Sequence, residues 1–339
     1  MNSQLEAPRR MTAPIHCPVK AKPPMGLVLA AFAAVYLIWG STYLGIHIAI
    51  QSIPPFFMAG SRFLIAGIML YVAMRFRGAS RPNLGHWANS AVIGGLLLLG
   101  GNGGVTWAQQ TVPTSIAALV VAATPLWMNL IDWLRPHGSR PRLTVAVGLA
   151  LGFAGVALIV MSKDHLGNRV VSPAGAVMLL LATISWAFGS VFSRHARQPA
   201  PTLLAIGMQM ICGGGLMLLA GVVTGEAGRF HPGAITSASA LAFVYLTLIG
   251  SLVGFTAYVW LLQVSTPARV STYAYVNPLI AVLLGRLVLH EPFPRSLVLA
   301  ASLILGAVIL ITLRKEKARA EPGGPSLKGG TALRIVLKF

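Results

Sequence analysis

Polar side chains occur deep inside long apolar stretches of this sequence, where a lipid environment would offer them few partners. The clearest example is Arg62, which lies well inside the apolar stretch 54–75. A charge within a membrane is a functional hypothesis by default, because burying it without a partner is unfavourable. Arg62 could bind an anionic group of a solute, or it could pair with a carbonyl or carboxylate and stabilise the fold. The sequence leaves both interpretations open.

Two prolines stand inside apolar stretches, in the dipeptides Thr124-Pro125 and Asn277-Pro278. A proline in a helix interior removes a backbone donor and tends to kink the helix. In a membrane, the freed carbonyl is tolerated only where protein or a water-filled cavity satisfies it. We therefore predict that the two proline-bearing helices, with the helix before each of them, form the wall of a solute cavity.

The candidate cavity residues are polar or amphipathic side chains on these four helices. They are Asn102, Trp107, Gln110, Thr124, Tyr258, Trp260, Gln263, Tyr273, Tyr275 and Asn277. The tryptophans and glutamines among them lie near predicted helix ends and could instead be interfacial anchors. Asn277 lies deeper, where its amide needs hydrogen-bond partners. Secondary candidates on two further helices are Trp39, Tyr43, Trp186 and Ser190.

No residue pattern indicates catalysis or a metal centre. The sequence contains no plausible nucleophile–base pair, no paired carboxylates and no Cys/His spacing that suits a metal ion. Its two cysteines do not make a disulfide framework, and its glycine clusters lack the spacing of a dinucleotide-binding loop. We therefore expect no enzyme activity, no metal and no cofactor, and the predicted chemistry is noncovalent binding.

Composition identifies lipid as the solvent of most of the chain. Of the 339 residues, 55% are hydrophobic and only 10% are charged, with a mean hydropathy of +0.75. Soluble domains typically carry about 25% charged residues. Helices are expected, because strands that span lipid would alternate in polarity. Apolar stretches of membrane-spanning length lie near 26–50, 54–75, 87–109, 113–134, 142–162, 173–194, 202–224, 238–262, 267–289 and 295–313.

The net charge of +19 is distributed as in a membrane protein. The basic residues lie in tails and short loops rather than on one face, which argues against a nucleic-acid partner. With ten crossings that start inside, 20 of the 26 Lys and Arg residues fall on the inner side and four on the outer side. This asymmetry predicts that both termini are cytoplasmic. Residues 1–24 are then a disordered cytoplasmic tail, and residues 314–339 are a basic one.

The sequence contains two copies of one five-helix unit, over 25–162 and 173–313. A shift of 147 or 153 residues superposes landmark residues of the first copy on the second, as in Trp39/Trp186, Gly60/Gly207, Gly67/Gly214, Trp107/Trp260, Gln110/Gln263 and Pro125/Pro278. Because five is odd, the second copy must enter the membrane from the opposite side. The predicted fold is therefore an all-α integral membrane protein of ten transmembrane helices in two inverted repeats. Inverted repeats are typical of secondary transporters, with the solute site where the halves meet.

Several short motifs resemble the EamA branch of the drug/metabolite transporter superfamily. They are Leu37-Ile38-Trp39-Gly40-Ser41, Ser61-Arg62-Phe63, Thr124-Pro125-Leu126, Ser185-Trp186-Ala187, Asn277-Pro278-Leu279 and Glu291 after the ninth helix. The resemblance covers about 25–313 and implies a bacterial inner-membrane protein that exports small organic solutes such as amino acids, other metabolites or toxic compounds. Some relatives import instead. One departure is Gly138, which stands in the first half where the second half has Glu291.

The sequence leaves two alternatives for the energy source of transport. Proton-coupled carriers commonly use an acidic residue or histidine within the membrane, yet none lies near the predicted midplane. Asp132 and Glu291, both near helix ends, are the candidate coupling groups for a proton. The alternative is a facilitated carrier without a coupling ion.

The expected partners are a small-molecule solute and membrane lipid, and both a monomer and a homodimer remain open. An importer, a channel, or a carrier of another cargo such as a nucleotide sugar or lipid is the alternative function. A lipid carrier would have a laterally open groove, whereas a solute exporter would have an aqueous central cavity lined by aromatic side chains.

Overall fold

The fold is all-helical over the residues that the structure, a computed structural model, describes: 24–134, 143–161, 172–193, 196–265, 273–291 and 295–319. These ranges contain no strand. The helices are α1 (Met25–Ala49), α2 (Pro55–Phe76), α3 (Leu84–Ala108), α4 (Thr114–Ala122 and Thr124–Leu134), α5 (Leu143–Met161), α6 (Pro173–Ser193), α7 (Thr202–Val223), α8 (237–264), α9 (Tyr273–Val288) and α10 (Arg295–Arg319). Two short 3₁₀ turns, Glu226–Arg229 and Pro232–Ala234, connect α7 to α8.

The prediction of an all-α membrane protein is confirmed, while the number of crossings remains a prediction. By length and composition, α1, α2, α3, α6, α7 and the Ser237–Tyr258 part of α8 can cross a bilayer. The other helices contain shorter apolar stretches, which are Thr114–Met128, Ala146–Gly155, Val276–Val288 and Arg295–Ala307. The predicted tails at 1–24 and 314–339 lie outside the described residues, apart from residue 24 and the last turns of α10.

The surface of the bundle is apolar where helices face outward. On α2, Ile65, Ile68 and Met69 are exposed, and Leu219 and Val222 are exposed on α7. A soluble monomer rarely leaves large contiguous apolar patches in water. The exposed faces of these helices are therefore suited to contact with lipid chains.

Helices α3 and α8 share an uncommon backbone feature. Each changes from α- to π-helical geometry in its middle, over Gly95–Gly103 in α3 and Leu246–Gly254 in α8, and then returns to α-helix. π-helical turns are rare, and they often occur at functional sites. Both halves therefore contain a widened helical turn at a similar position in their third helix.

The proline-bearing helices α4 and α9 also correspond between the copies, although their backbones differ. Helix α4 is interrupted at Ala123, where the Ala123 N–H donates to the Val120 carbonyl and the Leu126 N–H donates to the Ala123 carbonyl. These are the tighter bonds of a 3₁₀ turn. Helix α9 remains continuous through Pro278.

Helices α2 and α7 occupy equivalent positions in the two copies and pack closely against each other. A Cβ on Gly60 would lie 2.9 Å from the Gly214 carbonyl oxygen, and one on Gly67 would lie 2.8 Å from the Gly207 carbonyl oxygen. Gly60 faces the later of the two α7 glycines and Gly67 the earlier one, so the helices run antiparallel. Small residues allow this close backbone contact in a membrane, where van der Waals packing rather than water drives association.

The remaining contacts follow the same correspondence between copies. Helix α5 packs against α10, its counterpart in the second copy. Helix α1 packs against α8 and α9, and its counterpart α6 packs in the same way against α3 and α4. The helices that contain π-helical turns or prolines are therefore brought together in the middle of the bundle.

The glycine contact between α2 and α7 predicts a sharp difference between two neighbouring residues. A Cβ on Gly214 would lie 2.7 Å from the Leu64 backbone nitrogen, whereas nothing lies within 4 Å of one on Gly215. We expect Gly214→Ala to destabilise the protein by about 1–3 kcal/mol, because backbone atoms must separate. Gly215→Ala should be neutral or slightly stabilising, since alanine favours helix.

Thermal unfolding of both variants in the same detergent measures the difference. Equal melting temperatures for the two variants would contradict the close packing of α2 on α7.

Candidate functional site

A central cavity of about 110 Å³ lies between helices of both halves. Its polar lining residues are Thr42, Arg62, Asn102, Thr124, Thr183, Ser251 and Asn277, and its aromatic ones are Trp39, Tyr43, Phe63, Trp186, Phe255 and Tyr273. Glycine, alanine, valine, isoleucine and proline residues complete the wall. This space can hold several water molecules or part of a small solute. Mixed aromatic and polar walls of this kind are typical of small-molecule sites.

Arg62 places a positive charge at the wall of this cavity. Its side chain is only 2% exposed, and its Nη2 donates to the Asn102 Oδ1 at 3.1 Å. The guanidinium carbon lies 4.3 Å from the centre of the Phe63 ring. The Nε atom is buried without a hydrogen-bond partner. Since an arginine presents five N–H donors, most of its hydrogen-bonding capacity remains unused by the described side chains.

Both π-helical turns lie next to the Arg62 guanidinium. The turn in α3 contributes Gly101 and Asn102 to the cavity, and the turn in α8 contributes Gly250 and Ser251. Gly250 has no side chain, and a Cβ there would lie 4.0 Å from the Arg62 Nη1. The Ser251 hydroxyl is buried without a hydrogen-bond partner. The π-helical turns of both halves therefore contribute polar residues to the cavity wall.

The two prolines bring backbone carbonyls to another region. Because proline has no N–H, Pro125 and Pro278 leave the carbonyls of Val121 and Ala274 without their usual helical donors. Both of these residues line the cavity. The Thr124 hydroxyl donates to the Val121 carbonyl at 2.6 Å. The Thr124 hydroxyl thus replaces the missing donor at Val121, whereas the Ala274 carbonyl on α9 lacks its helical donor at a residue that lines the cavity.

Asn277 fastens α9 to α1 beside these carbonyls. With its amide oriented so that Nδ2 faces acceptors, it donates to the Tyr273 and Tyr36 carbonyls, each at 3.2 Å. The side chain is buried, with 6% exposure. Its amide therefore provides hydrogen bonds to carbonyls of two helices. Lipid could not hydrate these carbonyls.

An aromatic cluster covers one end of the cavity. The Trp39 ring centre lies 4.8 Å from that of Tyr258 and 5.3 Å from that of Tyr273. Phe255 also packs against Trp39, at 5.9 Å. Tilted and edge-on ring pairs of this type are favourable beyond their buried area, so the cluster forms a coherent apolar cover.

The electrostatics of the cavity are unbalanced. Among the lining side chains that the structure describes, Arg62 is charged, and the others are neutral. The described residues also contain no group of three or more His, Cys, Asp or Glu side chains that could bind a metal ion. The arrangement supports noncovalent binding, with donors, acceptors and aromatic surfaces around one fixed positive charge.

The structure divides the sequence-predicted site residues into three groups. The cavity lining includes Arg62, Asn102, Thr124, Pro125, Tyr273, Asn277 and Pro278, together with the secondary candidates Trp39, Tyr43 and Trp186. The lining does not include Trp107, Gln110, Tyr258, Trp260, Glu291 and the secondary candidate Ser190. The side chains of Asp132, Gln263 and Tyr275 lie outside the described part of the chain.

Three of the residues outside the lining make contacts elsewhere in the bundle. Gln110 is exposed and donates to the Trp107 carbonyl of its own helix end. Trp260 packs in an apolar cluster against Ala31, and Tyr258 stands behind Tyr273. Residues at helix ends, with solvent or apolar contacts nearby, have little access to the middle of the bundle.

Several residues of the site were not predicted from the sequence. They include Thr42, Phe63, Thr183, Ser251 and Phe255, which line the cavity. The buried glutamine is Gln109 rather than its neighbour Gln110, and Gln109 donates to the Tyr43 carbonyl at 3.1 Å. Spacing could have indicated this choice, because Gln109 follows Asn102 by two helical turns and shares its face.

Two carboxylates hold helix N-termini of the first half. The Glu226 carboxylate accepts the Phe56 and Phe57 N–H groups at the start of α2, at 3.2 and 3.0 Å. The Glu291 carboxylate accepts the backbone N–H and the hydroxyl of both Thr114 and Ser115 at the start of α4, at 2.7–3.2 Å. Negative charge at a helix N-terminus is stabilising. Glu291 therefore has a structural role, and the described geometry places it outside the cavity lining.

Comparison with known proteins gives a consistent result over most of the chain. Residues 24–161 and 173–313 each match the EamA-like transporter family. The inner membrane transporter YedA of Escherichia coli K12 is 40% identical over 87% of this chain and 94% of its own length. PecM of Dickeya dadantii is 28% identical over 84% of this chain and 93% of its own.

Two further similarities are more distant. A probable amino-acid metabolite efflux pump of Escherichia coli K12 is 25% identical over 82% of this chain and 90% of its own. A crystal structure of 24% identity superposes with a TM-score of 0.60, over 87% of this chain and 99% of its own. At that identity the superposition supports the fold alone.

The carboxylate at the start of α4 predicts a measurable loss of stability in Glu291→Gln. An amide keeps one acceptor but turns the other atom into a donor, which would face the donors of Thr114 and Ser115. We expect a destabilisation of about 1–3 kcal/mol, seen as a lower melting temperature in detergent. Arg295→Gln, an exposed change at the start of α10, is the matched control. Unchanged melting of Glu291→Gln would show that the four hydrogen bonds do not stabilise the fold.

Proposed function

Because this chain belongs to the EamA-like transporter family, we propose that it is a secondary transporter that exports small organic solutes by alternating access. It is a multi-pass inner membrane protein, like its relative YedA. The observation that carries the proposal is the central cavity, which is built from both halves and lined by polar and aromatic side chains. Secondary transporters place their solute sites in this way, where two repeats meet.

The proposed topology is ten crossings in two inverted five-helix repeats, with both termini in the cytoplasm. The antiparallel contact between α2 and α7 supports it, because equivalent helices of inverted repeats must run in opposite directions. The distribution of Lys and Arg supports the cytoplasmic position of the termini.

Alternating access requires helices that can change shape around the bound solute. The helices nearest the cavity have the means, since α3 and α8 contain π-helical turns and α4 and α9 contain prolines. Such positions concentrate bending at a few residues. Rocking of the two halves would then open the cavity to one side of the membrane at a time.

We propose that transport runs outward, from the cytoplasm. It is supported by the distant relative whose name describes an efflux pump. A carrier of small solutes is favoured over a lipid carrier, because the cavity lies at the centre of the bundle and is lined by aromatic rings. Import, or transport of another cargo such as a nucleotide sugar, would appear as a different outcome of the export experiment below.

The hydrogen bonds of Glu291 also bear on how transport is coupled to an energy source. Glu291 is engaged in four hydrogen bonds at the start of α4, so its protonation would disturb a helix end rather than a solute contact. Facilitated transport, or coupling through a peripheral group such as Asp132, is therefore proposed in preference to a proton relay through the cavity.

The topology predicts the behaviour of reporter fusions at the C-terminus. A green fluorescent protein fused there should fluoresce, and an alkaline phosphatase fused there should be inactive, because each reporter matures in only one compartment. Fusions after Ala79, in the α2–α3 connection, should behave in the same way. An active phosphatase at the C-terminus would contradict an even number of crossings with a cytoplasmic N-terminus.

The export proposal predicts a change in the solutes that surround expressing cells. We expect at least one class of small organic molecule to accumulate in the medium of a bacterial host that expresses the parent chain. Asn277→Ala should reduce this accumulation several-fold, because it removes the link between α9 and α1 at the cavity. Metabolite profiling of cells and medium, at equal expression, is the measurement.

Gln110→Ala is the matched control, since Gln110 is exposed and outside the cavity lining. Accumulation inside the cells rather than outside would indicate import. Profiles that match the empty host for every variant would contradict export of a common metabolite.

A further inference from the structure

The Arg62 guanidinium has an unusual amount of unused hydrogen-bonding capacity for a buried charge. One bond to Asn102 serves Nη2, Nε has no partner, and Nη1 lies beside Gly250, which has no side chain to accept from it. Buried charges normally have a partner of opposite charge or several hydrogen bonds. None of the described side chains that line the cavity is a carboxylate. The geometry therefore contains a place for an anion that the described residues do not supply.

Further donors lie at the same part of the cavity wall. Because arginine only donates, Asn102 must present its oxygen to Arg62, and its amide nitrogen remains as a donor for a second group. The Ser251 hydroxyl, buried and without a partner, lines the cavity from the opposite half. A carboxylate can accept about four hydrogen bonds and can bind a guanidinium through both oxygens.

The rest of the cavity is suited to an apolar body of limited size. Trp39, Phe63, Phe255 and Tyr273 present ring surfaces within a volume of about 110 Å³. Aromatic walls favour hydrophobic and ring-shaped groups. A ligand that satisfies both regions is amphipathic, with one carboxylate and a compact apolar part.

We propose that Arg62, Asn102 and Ser251 bind the carboxylate group of the transported solute, and that this cargo is a small amphipathic carboxylate. The inference rests on the proposed transport function, whose cargo class it names. Arg62 contacts the solute directly, and Asn102 both orients the guanidinium and donates to the carboxylate. The carboxylate can belong to a simple acid or to a zwitterion, whose ammonium group would find an acceptor at the Ala274 carbonyl.

Three probes with the same phenyl body separate the charges of the cargo. They are 3-phenylpropionate, which has only a carboxylate, phenethylamine, which has only an ammonium group, and L-phenylalanine, which has both. Purified protein in detergent should bind 3-phenylpropionate at millimolar concentration, with an increase in melting temperature, and should not respond to phenethylamine. Binding of L-phenylalanine as well would extend the site to zwitterions, and its failure to bind would restrict the cargo to simple acids.

Asn102→Asp is the sharpest variant, because it supplies Arg62 with an internal carboxylate. We expect this variant to fold, since it pairs a buried charge, and to bind 3-phenylpropionate roughly 10- to 100-fold more weakly than the parent chain. Arg62→Lys keeps the charge but loses the forked geometry, and it should weaken binding about tenfold. A purely structural role for Arg62 would leave acid binding unchanged in a folded Asn102→Asp protein.

Arg81→Gln is the matched control, because Arg81 is exposed in the connection between α2 and α3. It should bind the acid as the parent chain does. The inference is overturned if the parent chain does not bind the acid, if phenethylamine binds as tightly, or if both Asn102→Asp and Arg62→Lys retain parent affinity.

Flux measurements in proteoliposomes keep the two proposals separate. Acid that binds in an Arg62-dependent manner but does not cross the membrane would contradict the transporter proposal and leave the binding site intact. Flux of solutes that is insensitive to both variants would support transport and contradict the carboxylate site.

Discussion

The structure depends first on a contact between two backbones, where the glycines of α2 face the carbonyls of α7 and the reverse. Lipid supplies no hydrophobic force between helices, so their association relies on close packing. Another face of α2 carries Arg62 toward the cavity, and α7 also supports α3, whose Gly94 packs against the Gly213 backbone. A wider separation of α2 and α7 would therefore move the guanidinium relative to Asn102. The binding region is positioned by residues that never touch a solute.

Sequence alone predicted the features that repeat or that break a rule. Pro125 and Pro278 and the α2 and α7 glycines recur at fixed offsets, and Arg62 is a charge within an apolar stretch. These signals are local, and with the polar and aromatic side chains of neighbouring helices they led to ten residues of the cavity lining, three of them as secondary candidates. The π-helical turns were not foreseen, because a shift in backbone hydrogen bonding leaves hydrophobic composition unchanged. Glu226 was also missed, since its partners at Phe56 and Phe57 are distant in sequence.

The cavity combines fixed polarity with adaptable walls. Its donors come from Arg62 and the π-helical turns, and the Ala274 carbonyl, which Pro278 deprives of its helical donor, is an acceptor. Most of these groups belong to the backbone or to side chains held by their own helices, such as Thr42, Thr124 and Thr183. Aromatic rings provide the remaining surface. Relatives with the same helices could therefore change cargo by exchanging ring side chains while keeping the polar framework.

The Glu226 and Glu291 caps have a consequence for the resting distribution of the carrier. Both are contributed by the second half to helix ends of the first half. The first half does not provide the same two caps to helix ends of the second half, since Gly138 stands where a counterpart of Glu291 would be. Two orientations of a perfectly symmetric carrier would be equally populated. A helix cap is worth about 0.5–2 kcal/mol, so each cap that exists in only one orientation biases the unloaded carrier by roughly two- to thirtyfold. The unloaded protein would then populate mainly the conformation that is closed on one side of the membrane. The binding energy of the cargo would offset this bias and allow the opposite conformation to form.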